Sequence, residues 1–260
     1  MSSLVQSTEH PSIVYTYILA GGRSSRFGSD KARELINGTP QIVNLYQRFS
    51  EQRQSQAFVV AGSKEAYIDL KLPTIADATP NLGPVSGVVT ALEHFSTCVP
   101  KRRQYSAPLA IPSSVVGERP SEFEYLAKWC LIVACDLWEW HPVWVSRLVA
   151  AVSSTDSPSS SDCRAACFFE SAVSGDNPKA GRWTPFPGLF QASALEFAKQ
   201  IRDSSRASMQ DLLNLPEMSS AAVSLGGIPE VRSANTREDL DNLKKLASIQ
   251  WTPSKSFKPD

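Results

Sequence analysis

The 260-residue chain carries no excess of either charge, because 26 Lys and Arg residues balance 26 Asp and Glu residues. Such a chain has no global basic field to attract nucleic acid, so a charged substrate must be recognised locally. No apolar run approaches the ~18 residues of a membrane span, and residues 1–12 are too polar for a signal peptide. We therefore expect a cytoplasmic protein that binds neither nucleic acid nor a membrane.

Disulfide and metal-binding patterns are also missing. Five cysteines are an odd number in a chain without a secretion signal, which argues against disulfides. Cys130 and Cys135 are five residues apart and Cys163 and Cys167 are four apart, so neither pair has the CxxC spacing of zinc or redox sites. Cys130 lies in an apolar run, where a thiol acts as a small hydrophobe. His141, one of three histidines, has no metal-ligand partner beside it, which favours a surface or capping role.

Two familiar glycine-rich nucleotide motifs are absent as well. Lys31 is neither preceded by glycine nor followed by Ser or Thr, so it does not belong to a Walker A loop. The chain also lacks GxGxxG followed by an acid about 20 residues later. This absence argues against a dinucleotide-binding oxidoreductase.

What the chain does contain is a cation-rich glycine turn after a short apolar strand. The aromatic and β-branched run Tyr15–Leu19 predicts a buried strand that ends at Gly21-Gly22. Adjacent glycines let backbone N–H groups approach a ligand closely. The residues up to Lys31 add cations and hydroxyls but only one acid, Asp30. This composition suits a polyphosphate, and the structural alternative is a plain surface turn between a strand and a helix.

Residues 19–31, LAGGRSSRFGSDK, resemble the signature of the nucleotidyltransferases related to molybdenum cofactor guanylyltransferase. The resemblance implies that Arg26 and Lys31 are catalytic cations that hold a triphosphate. We expect the Lys31 side chain to be exposed. The resemblance also assigns nucleotide binding to a set of loop residues, namely Leu19, Ala20, Gly21, Gly22, Ser24, Ser25, Arg26 and Lys31.

The segments after this loop predict an α/β fold. Apolar residues at helical spacing between Ile42 and Phe49 predict a crossover helix, and Ala57 to Ala61 predict a second buried strand. A strand, a helix and a strand with continuous apolar strands indicate parallel pairing with both sheet faces covered. The resemblance implies a Rossmann-like fold of three layers, α/β/α, with a mostly parallel sheet. We interpret residues 1–260 as one domain of this kind.

Two further segments are predicted to contact the nucleotide. Ser63 follows the second strand, at the position where related enzymes carry an asparagine that touches the base. Asp77 ends a third short strand, and it resembles, together with Gly83, the D…GPLAG segment that closes over the nucleotide in the family. The alternative is that Asp77 only caps a turn and that Gly83 permits a tight corner.

Asp136 is the candidate metal ligand. It follows the apolar run from Trp129 to Cys135, and ligands of open parallel sheets bind beyond the carboxyl ends of the strands. Magnesium is usually held by one or two carboxylates together with substrate phosphates. Cys135-Asp136 resembles the family's Cys-Asp-Met-Pro, although Leu137 and Trp138 replace its last two residues. The resemblance implies that Asp136 is a catalytic Mg²⁺ ligand that also contacts the nucleotide.

The remaining stretches are less regular. Residues 96–128 are proline-rich without periodicity, which predicts an irregular insertion, and the serine-rich residues 153–162 predict a flexible loop. Residues 185–190, PFPGLF, resemble a family segment on the acceptor side and are predicted to lead into a helix. Residues 235–240 resemble the family's NTPEDL and predict a capping box at Thr236 and Asp239. Ser233 stands where related enzymes carry an asparagine near the metal.

The resemblance as a whole implies a Mg²⁺-dependent enzyme that moves GMP from GTP to the phosphate of molybdopterin and releases pyrophosphate. The departures at Ser63, at Leu137-Trp138 and at Ser233 leave two alternatives. One is a nucleotidyltransferase of the same fold that uses CTP or another nucleotide and a different phosphorylated acceptor. The other is a nucleotide-binding regulatory protein without turnover. We expect a monomer or a weak homo-oligomer.

Overall fold

The structure, a computed structural model, describes residues 15–21, 29–51, 56–98, 128–153, 162–171, 181–204, 207–234 and 236–242. Within them lie nine strands, β1 Tyr15–Leu19, β2 Leu35–Ile36, β3 Thr39–Pro40, β4 Gln56–Ala61, β5 Thr74–Ala76, β6 Trp129–Ala134, β7 Ala165–Ser171, β8 Gly181–Gln191 and β9 Ala221–Val223. The α-helices are α1 Gln41–Ser50, α2 Pro84–Cys98, α3 Pro142–Ser153, α4 Leu195–Arg202 and α5 Met209–Leu213, and residues 237–242 are also helical. No helix in these ranges is long and apolar enough to cross a membrane.

Seven of the strands form one sheet in the order β5-β4-β1-β6-β8-β7-β9. The pairs β4–β5, β1–β4, β1–β6 and β7–β9 are parallel, whereas β8 is antiparallel to both of its neighbours. The predicted first strand, crossover helix and second strand are confirmed by β1, α1 and β4. The prediction of a mostly parallel sheet in an α/β fold is confirmed too.

Helices cover both faces of this sheet. Ile18 and Val133 point to the face that packs against α1 and α3, while Tyr17 and Ile132 point to the face covered by α2, α4 and α5. Because these central strands are buried on both sides, their sequences are continuous apolar runs rather than alternating ones. The predicted three-layer α/β/α arrangement is therefore confirmed.

Several boundaries differ from the sequence prediction. Helix α2 continues through Cys98, so the predicted start of the insertion at residue 96 was wrong, and residues 99–127 lie outside the described part. Helix α3 continues through Ser153, and residues 154–161 of the predicted flexible loop are likewise outside it. Cys130 is fully buried in β6, which confirms its interpretation as a small core hydrophobe.

Strand β8 is the largest departure. The sequence predicts that residues 185–190 lead into a helix, which α4 Leu195–Arg202 confirms, but it assigns no strand to residues 185–190 themselves, and these belong to an 11-residue strand. Its pairing with β7 shifts register after Cys167↔Gly188, and it resumes at Phe168↔Thr184, so Pro185 to Pro187 bulge out of the ladder. Prolines lack the N–H that a ladder needs and are found in strands at bulges, which is the position they take here.

Gly188 is expected to tolerate no side chain, because it lies at the edge of this bulge. A Cβ atom there would overlap the carbonyl oxygen of Pro185 and lie 2.8 Å from Cys167 Sγ. Gly188→Ala should lower the free energy of unfolding by about 1–3 kcal/mol, as measured by urea denaturation. The matched control is Gly62→Ala, whose Cβ would meet nothing nearer than Pro80 Cβ at 4.0 Å. Equal midpoints for the two variants would contradict the overlap.

Candidate functional site

The carboxyl ends of β1 and β6 open into a cleft of about 540 Å³. Parallel neighbours place these ends at the same edge of the sheet, where open α/β folds bind their ligands. The lining residues come from the ends of the strands, from the start of α2, from β8 and from a late loop. They are Leu19, Gly21, Lys31, Val60, Asp77, Asn81, Gly83, Pro84, Gly87, Ala134, Cys135, Asp136, Leu137, Arg182, Thr184, Pro185, Phe186, Val231 and Ser233.

An ion pair between Lys31 and Asp136 lies in the cleft, with Nζ 3.7 Å from Oδ2. Lys31 opens a short 3-10 helix, Lys31–Arg33, which is capped by Asp30 through a 3.0 Å hydrogen bond from the Ala32 N–H. The Lys31 side chain is only 14% exposed. The expectation that it is exposed was wrong, because the 3-10 turn places this residue over the end of β6.

The environment of Asp136 is unfavourable for an isolated negative charge. Burial raises the pKa of its carboxyl group, and the nearby Lys31 ammonium lowers it only in part. Desolvation disfavours the charged form of a carboxyl group, whereas an adjacent cation favours it. A further cation close to Asp136 would therefore favour the charged form of its carboxyl group.

Backbone contacts hold the Asp136 turn in place. The Cys135 N–H donates to the Leu19 carbonyl at 3.0 Å, and the Ala234 N–H donates to the Asp136 carbonyl at 3.3 Å. Leu137 pairs with Ser233 in an isolated antiparallel bridge. Ser233, for which sequence reasoning suggested no firm role, thus lies opposite Leu137, the neighbour of Asp136 in the chain, and lines the same cleft.

Asp77 also lines the cleft, and its carboxylate organises the start of α2. Its Oδ1 atom accepts hydrogen bonds from Thr79 N at 3.0 Å, from Ser86 Oγ at 2.6 Å and from Thr90 Oγ1 at 3.1 Å. The alternative in which Asp77 caps a turn is therefore confirmed, because its carboxylate accepts the hydrogen bond from the Thr79 N–H. Its predicted contact with a nucleotide stays a prediction.

Loss of the Ser86 hydroxyl is expected to be costly, because Ser86 is fully buried against the Asp77 carboxylate. Ser86→Ala should lower the free energy of unfolding by about 1–3 kcal/mol, since a buried charge loses one of its donors. Thermal unfolding measures the change. The exposed Ser193, changed to Ala in the same way, should shift stability by less than about 0.5 kcal/mol. A Ser86 variant as stable as the Ser193 variant would argue against the network.

Of the other predicted site residues, some line the cleft, some do not, and some lie outside the described ranges. Leu19 and Gly21 line the cleft, as does Gly83, which has the left-handed φ of +83° that a glycine corner needs. Ala20 follows β1, and its N–H donates to the Val60 carbonyl at 2.8 Å. Ser63 is exposed and is not among the residues that line the cleft. Four predicted residues lie outside the described ranges, namely Gly22, Ser24, Ser25 and Arg26.

The site also contains residues that sequence reasoning missed. Arg182, Thr184 and Phe186 of β8 form one wall of the cleft, and Val231 lines it near Ser233, which the family resemblance had already singled out. The only signal for the β8 wall was the apolar PFPGLF stretch, and its prolines argued against a central strand. When a distant segment returns to the site as an antiparallel strand, the local sequence pattern does not show which residues it will meet.

The segment after Ser233 is tied to the turn that carries Lys31. Thr236 and Asp239 form the predicted capping box, with hydrogen bonds of 2.7 Å and 3.1 Å, so that prediction is confirmed. Arg237, where the family has proline, makes a 2.8 Å ion pair with Glu34. Glu34 also accepts a 2.7 Å hydrogen bond from Ser29 Oγ. These contacts connect the two segments that flank the Lys31–Asp136 pair.

A three-layer α/β fold with a charged cleft at the carboxyl edge of its sheet defines this chain as an open-sheet α/β protein with a ligand site at that edge. Residues 16–217 match the model of the MobA-like NTP transferase domain, and the chain belongs to this family.

Curated relatives and solved structures agree with this assignment. The chain is 29% identical over 205 residues to a molybdenum cofactor guanylyltransferase from Sinorhizobium fredii, covering 70% of this chain and 89% of the relative. It is 37% identical over 82 residues to a probable molybdenum cofactor guanylyltransferase from Thermococcus sibiricus, a match that spans 30% of this chain and only 42% of the relative.

The structural neighbours share the fold at low sequence identity. Molybdopterin-guanine dinucleotide biosynthesis protein A from Archaeoglobus fulgidus matches with a TM-score of 0.60 and 15% identity, over 91% of this chain and 100% of that one. A CMP:2-keto-3-deoxy-manno-octonic acid synthetase complexed with CTP also has a TM-score of 0.60, with 12% identity over 92% of this chain and 99% of that one. The fold is thus one that nucleotidyltransferases use.

Proposed function

We propose that this protein is a Mg²⁺-dependent nucleotidyltransferase that moves GMP from GTP to the phosphate of molybdopterin. The observation that carries the proposal is the Lys31–Asp136 pair, with an N–O distance of 3.7 Å, inside the cleft at the ends of β1 and β6. Relatives named as molybdenum cofactor guanylyltransferases support the choice of substrates.

The proposed reaction is an in-line displacement at the α-phosphorus of GTP. An oxygen of the acceptor phosphate forms a new bond to that phosphorus, and the bond from the phosphorus to the bridging oxygen of the β-phosphate breaks. Pyrophosphate leaves with the electron pair of that bond. Little covalent work remains for the protein, so orientation of the reactants and neutralisation of charge supply most of the rate.

The residues of the cleft suit these two tasks. Backbone N–H groups of the glycine loop that follows Leu19 can cradle phosphates, and Lys31 supplies a fixed cation within reach of Asp136. Pro84 and Gly87 place the first turn of α2 at the cleft, where the positive end of the helix dipole favours an anion. The nucleotide would then lie on the side of Asp136 that faces β1, β4 and β5.

The oxygen donors around Asp136 fit a magnesium ion. Asp136 offers a carboxylate whose charged form a nearby cation would favour, and Ser233 of the same cleft carries a hydroxyl group. The described residues contain no group of three His, Cys, Asp or Glu side chains suited to a metal, so substrate phosphates would complete the coordination. When bound, Mg²⁺ would offset the charge that builds up on the α- and β-phosphate oxygens.

A second candidate keeps the reaction and changes the nucleotide to CTP. Ser63 is exposed and is not among the residues that line the cleft, so the position expected to contact guanine gives no support to GTP over CTP. The structural likeness to a synthetase complexed with CTP agrees, although at 12% identity it concerns the fold alone.

Nucleotide preference separates the two candidates. With Mg²⁺ present and equal concentrations of each nucleotide, GTP is expected to raise the melting temperature most, because stabilisation grows as the Kd of the ligand falls. A ligand at about 100 times its Kd adds about 2.7 kcal/mol of stability. For a chain of this size, each kcal/mol corresponds to roughly 2–4 °C. A larger shift with CTP or ATP would support the second candidate.

Turnover is tested directly by pyrophosphate release. Wild-type protein with GTP, Mg²⁺ and molybdopterin is expected to release pyrophosphate, and omission of molybdopterin should abolish the release. Tight nucleotide binding without release for any combination of nucleotide and acceptor would instead indicate a regulatory nucleotide-binding protein.

A further inference from the structure

Gln41 is a buried polar residue that the proposed chemistry does not use. It opens helix α1 and is only 2% exposed, and the other buried residues of that helix, Ile42, Leu45 and Phe49, are all apolar. Burial of a primary amide costs free energy unless its hydrogen bonds are made. The partners of Gln41 therefore indicate which role the residue has.

Gln41 is hydrogen-bonded to both segments that carry the Lys31–Asp136 pair. Its side-chain Nε2 donates to the Leu137 carbonyl at 2.5 Å, and Leu137 directly follows Asp136 in the chain. Its backbone N–H donates to the Glu34 carbonyl at 2.9 Å. Glu34 ends the turn of Lys31, because the Glu34 N–H donates to the Lys31 carbonyl at 3.2 Å. One residue thus connects the two sides of the ion pair through two hydrogen bonds.

The bond to Glu34 fixes the turn of Lys31 to helix α1. Strands β2 and β3 pair up to Leu35↔Pro40, and the bond from the Gln41 N–H to the Glu34 carbonyl continues this ladder by one step. The first N–H groups of a helix have no partner within the helix, so the same bond satisfies the start of α1. The position of Lys31 therefore depends on where α1 begins.

The bond to Leu137 fixes the turn of Asp136 to the same helix. The Leu137 N–H donates to the Ala134 carbonyl at 3.1 Å, which closes the turn that carries Asp136, and Leu137 is itself buried. A buried carbonyl that loses a donor costs free energy comparable to a lost hydrogen bond. Without the Gln41 amide we expect this turn to shift towards another donor, and the Asp136 carboxylate would move with it.

We infer that Gln41 is a positioning residue that holds the Lys31 ammonium and the Asp136 carboxylate at their separation of 3.7 Å. The effect on turnover rests on the proposed function, whereas the effect on the ion pair can be measured in the protein without ligands. Where the rate depends on orientation, a displacement of about 1 Å can cost about 100-fold. The alternative is that Gln41 only supplies a donor to the Leu137 carbonyl and has no influence on the pair.

Urea denaturation of the protein without ligands tests the effect on the ion pair. Gln41→Met keeps the length of the side chain and removes its donor, so the two charges should no longer be held together. The loss in urea midpoint that Lys31→Ala causes should be at least halved in the Gln41→Met background. Gln47→Met makes the same change at a partly exposed position of α1 and is the matched control, which should leave that loss unchanged.

Steady-state pyrophosphate release tests the effect on turnover. At a temperature where the variant is fully folded, Gln41→Met should lower kcat about tenfold, with the KM for GTP within about twofold of wild type, because Lys31 is still present to bind GTP. Gln41→Asn keeps the amide and shortens the side chain by one methylene, so it should show both changes in the same direction. This milder variant replaces Gln41→Met in both experiments if the methionine variant does not fold.

The outcomes separate this inference from the proposed function. An unchanged Lys31→Ala loss in the Gln41 variant would overturn the inference, because Gln41 would then only satisfy the Leu137 carbonyl. An unchanged kcat in a folded and active Gln41 variant would overturn it as well. If the wild-type protein releases no pyrophosphate with any nucleotide and acceptor, the proposed function fails, and the urea experiment still decides whether Gln41 holds the ion pair.

Discussion

Asp136→Asn is expected to reduce Mg²⁺-dependent pyrophosphate release by about three orders of magnitude while the protein remains folded. The substitution preserves the shape of the side chain and removes the charge that lies 3.7 Å from Lys31 Nζ. This charge lies where the carboxyl ends of β1 and β6 open into the cleft. An exposed carboxylate in the helical segment 237–242, changed as Asp241→Asn, is the matched control and should leave turnover unchanged. Substantial Mg²⁺-dependent release by the Asp136 variant would make Asp136 structural and direct the search for the metal ligand to Asp77.

The same substitution has a predicted effect on stability that depends on pH. Burial raises the pKa of Asp136 in the folded protein, so ionisation of this carboxyl group costs stability once the pH exceeds the unfolded value of about 3.9. In the absence of nucleotide and metal, Asp136→Asn should therefore be at least as stable as wild type at pH 7. The difference should vanish as the pH falls below the unfolded pKa, where both forms are neutral. Thermal unfolding at several pH values checks the sign.

Lys31→Ala is expected to weaken GTP binding and to lower kcat/KM by about 100-fold, because the triphosphate loses a fixed cation. It should also lower the free energy of unfolding by about 1 kcal/mol, since the largely buried Asp136 carboxylate loses its partner. The exposed Lys64, changed to Ala, is the control and should have neither effect. Calorimetric titration with GTP measures the first quantity and urea denaturation the second. Equal GTP affinity in the variant and in wild type would contradict the assignment of Lys31.

A double variant separates the two effects of Lys31. If the stability loss in Lys31→Ala arises from the unpaired charge of Asp136, it should disappear in the Asp136→Asn background. The loss of GTP affinity should persist there, because it depends on the cation and the phosphates. A stability loss of the same size in both backgrounds would mean that Lys31 stabilises the fold through other contacts.

The sequence by itself determined the central part of this protein. Residues 15–19, 57–61 and 129–134 are apolar runs long enough for buried strands, and buried parallel strands need no other pattern. The rule that ligands bind beyond the carboxyl ends of such strands then places Asp136 and Gly21 in one cleft, as the structure does. The capping box of Thr236 and Asp239 was predictable for a similar reason, because its partners are three residues apart.

Only the tertiary structure decided what faces Asp136 from the other side. Strand β8 returns antiparallel from a distant part of the chain, and its Pro185 to Pro187 bulge hides the strand pattern. Arg182 therefore carried no local signal, and the only signal for Phe186 was the PFPGLF segment around it. The burial of Lys31 and the position of Ser233 opposite Leu137 likewise depend on contacts between segments far apart in sequence. The spacing of apolar residues along one segment indicates which of its side chains face the core and which face solvent. The neighbours of a side chain are instead set by how separate segments pack.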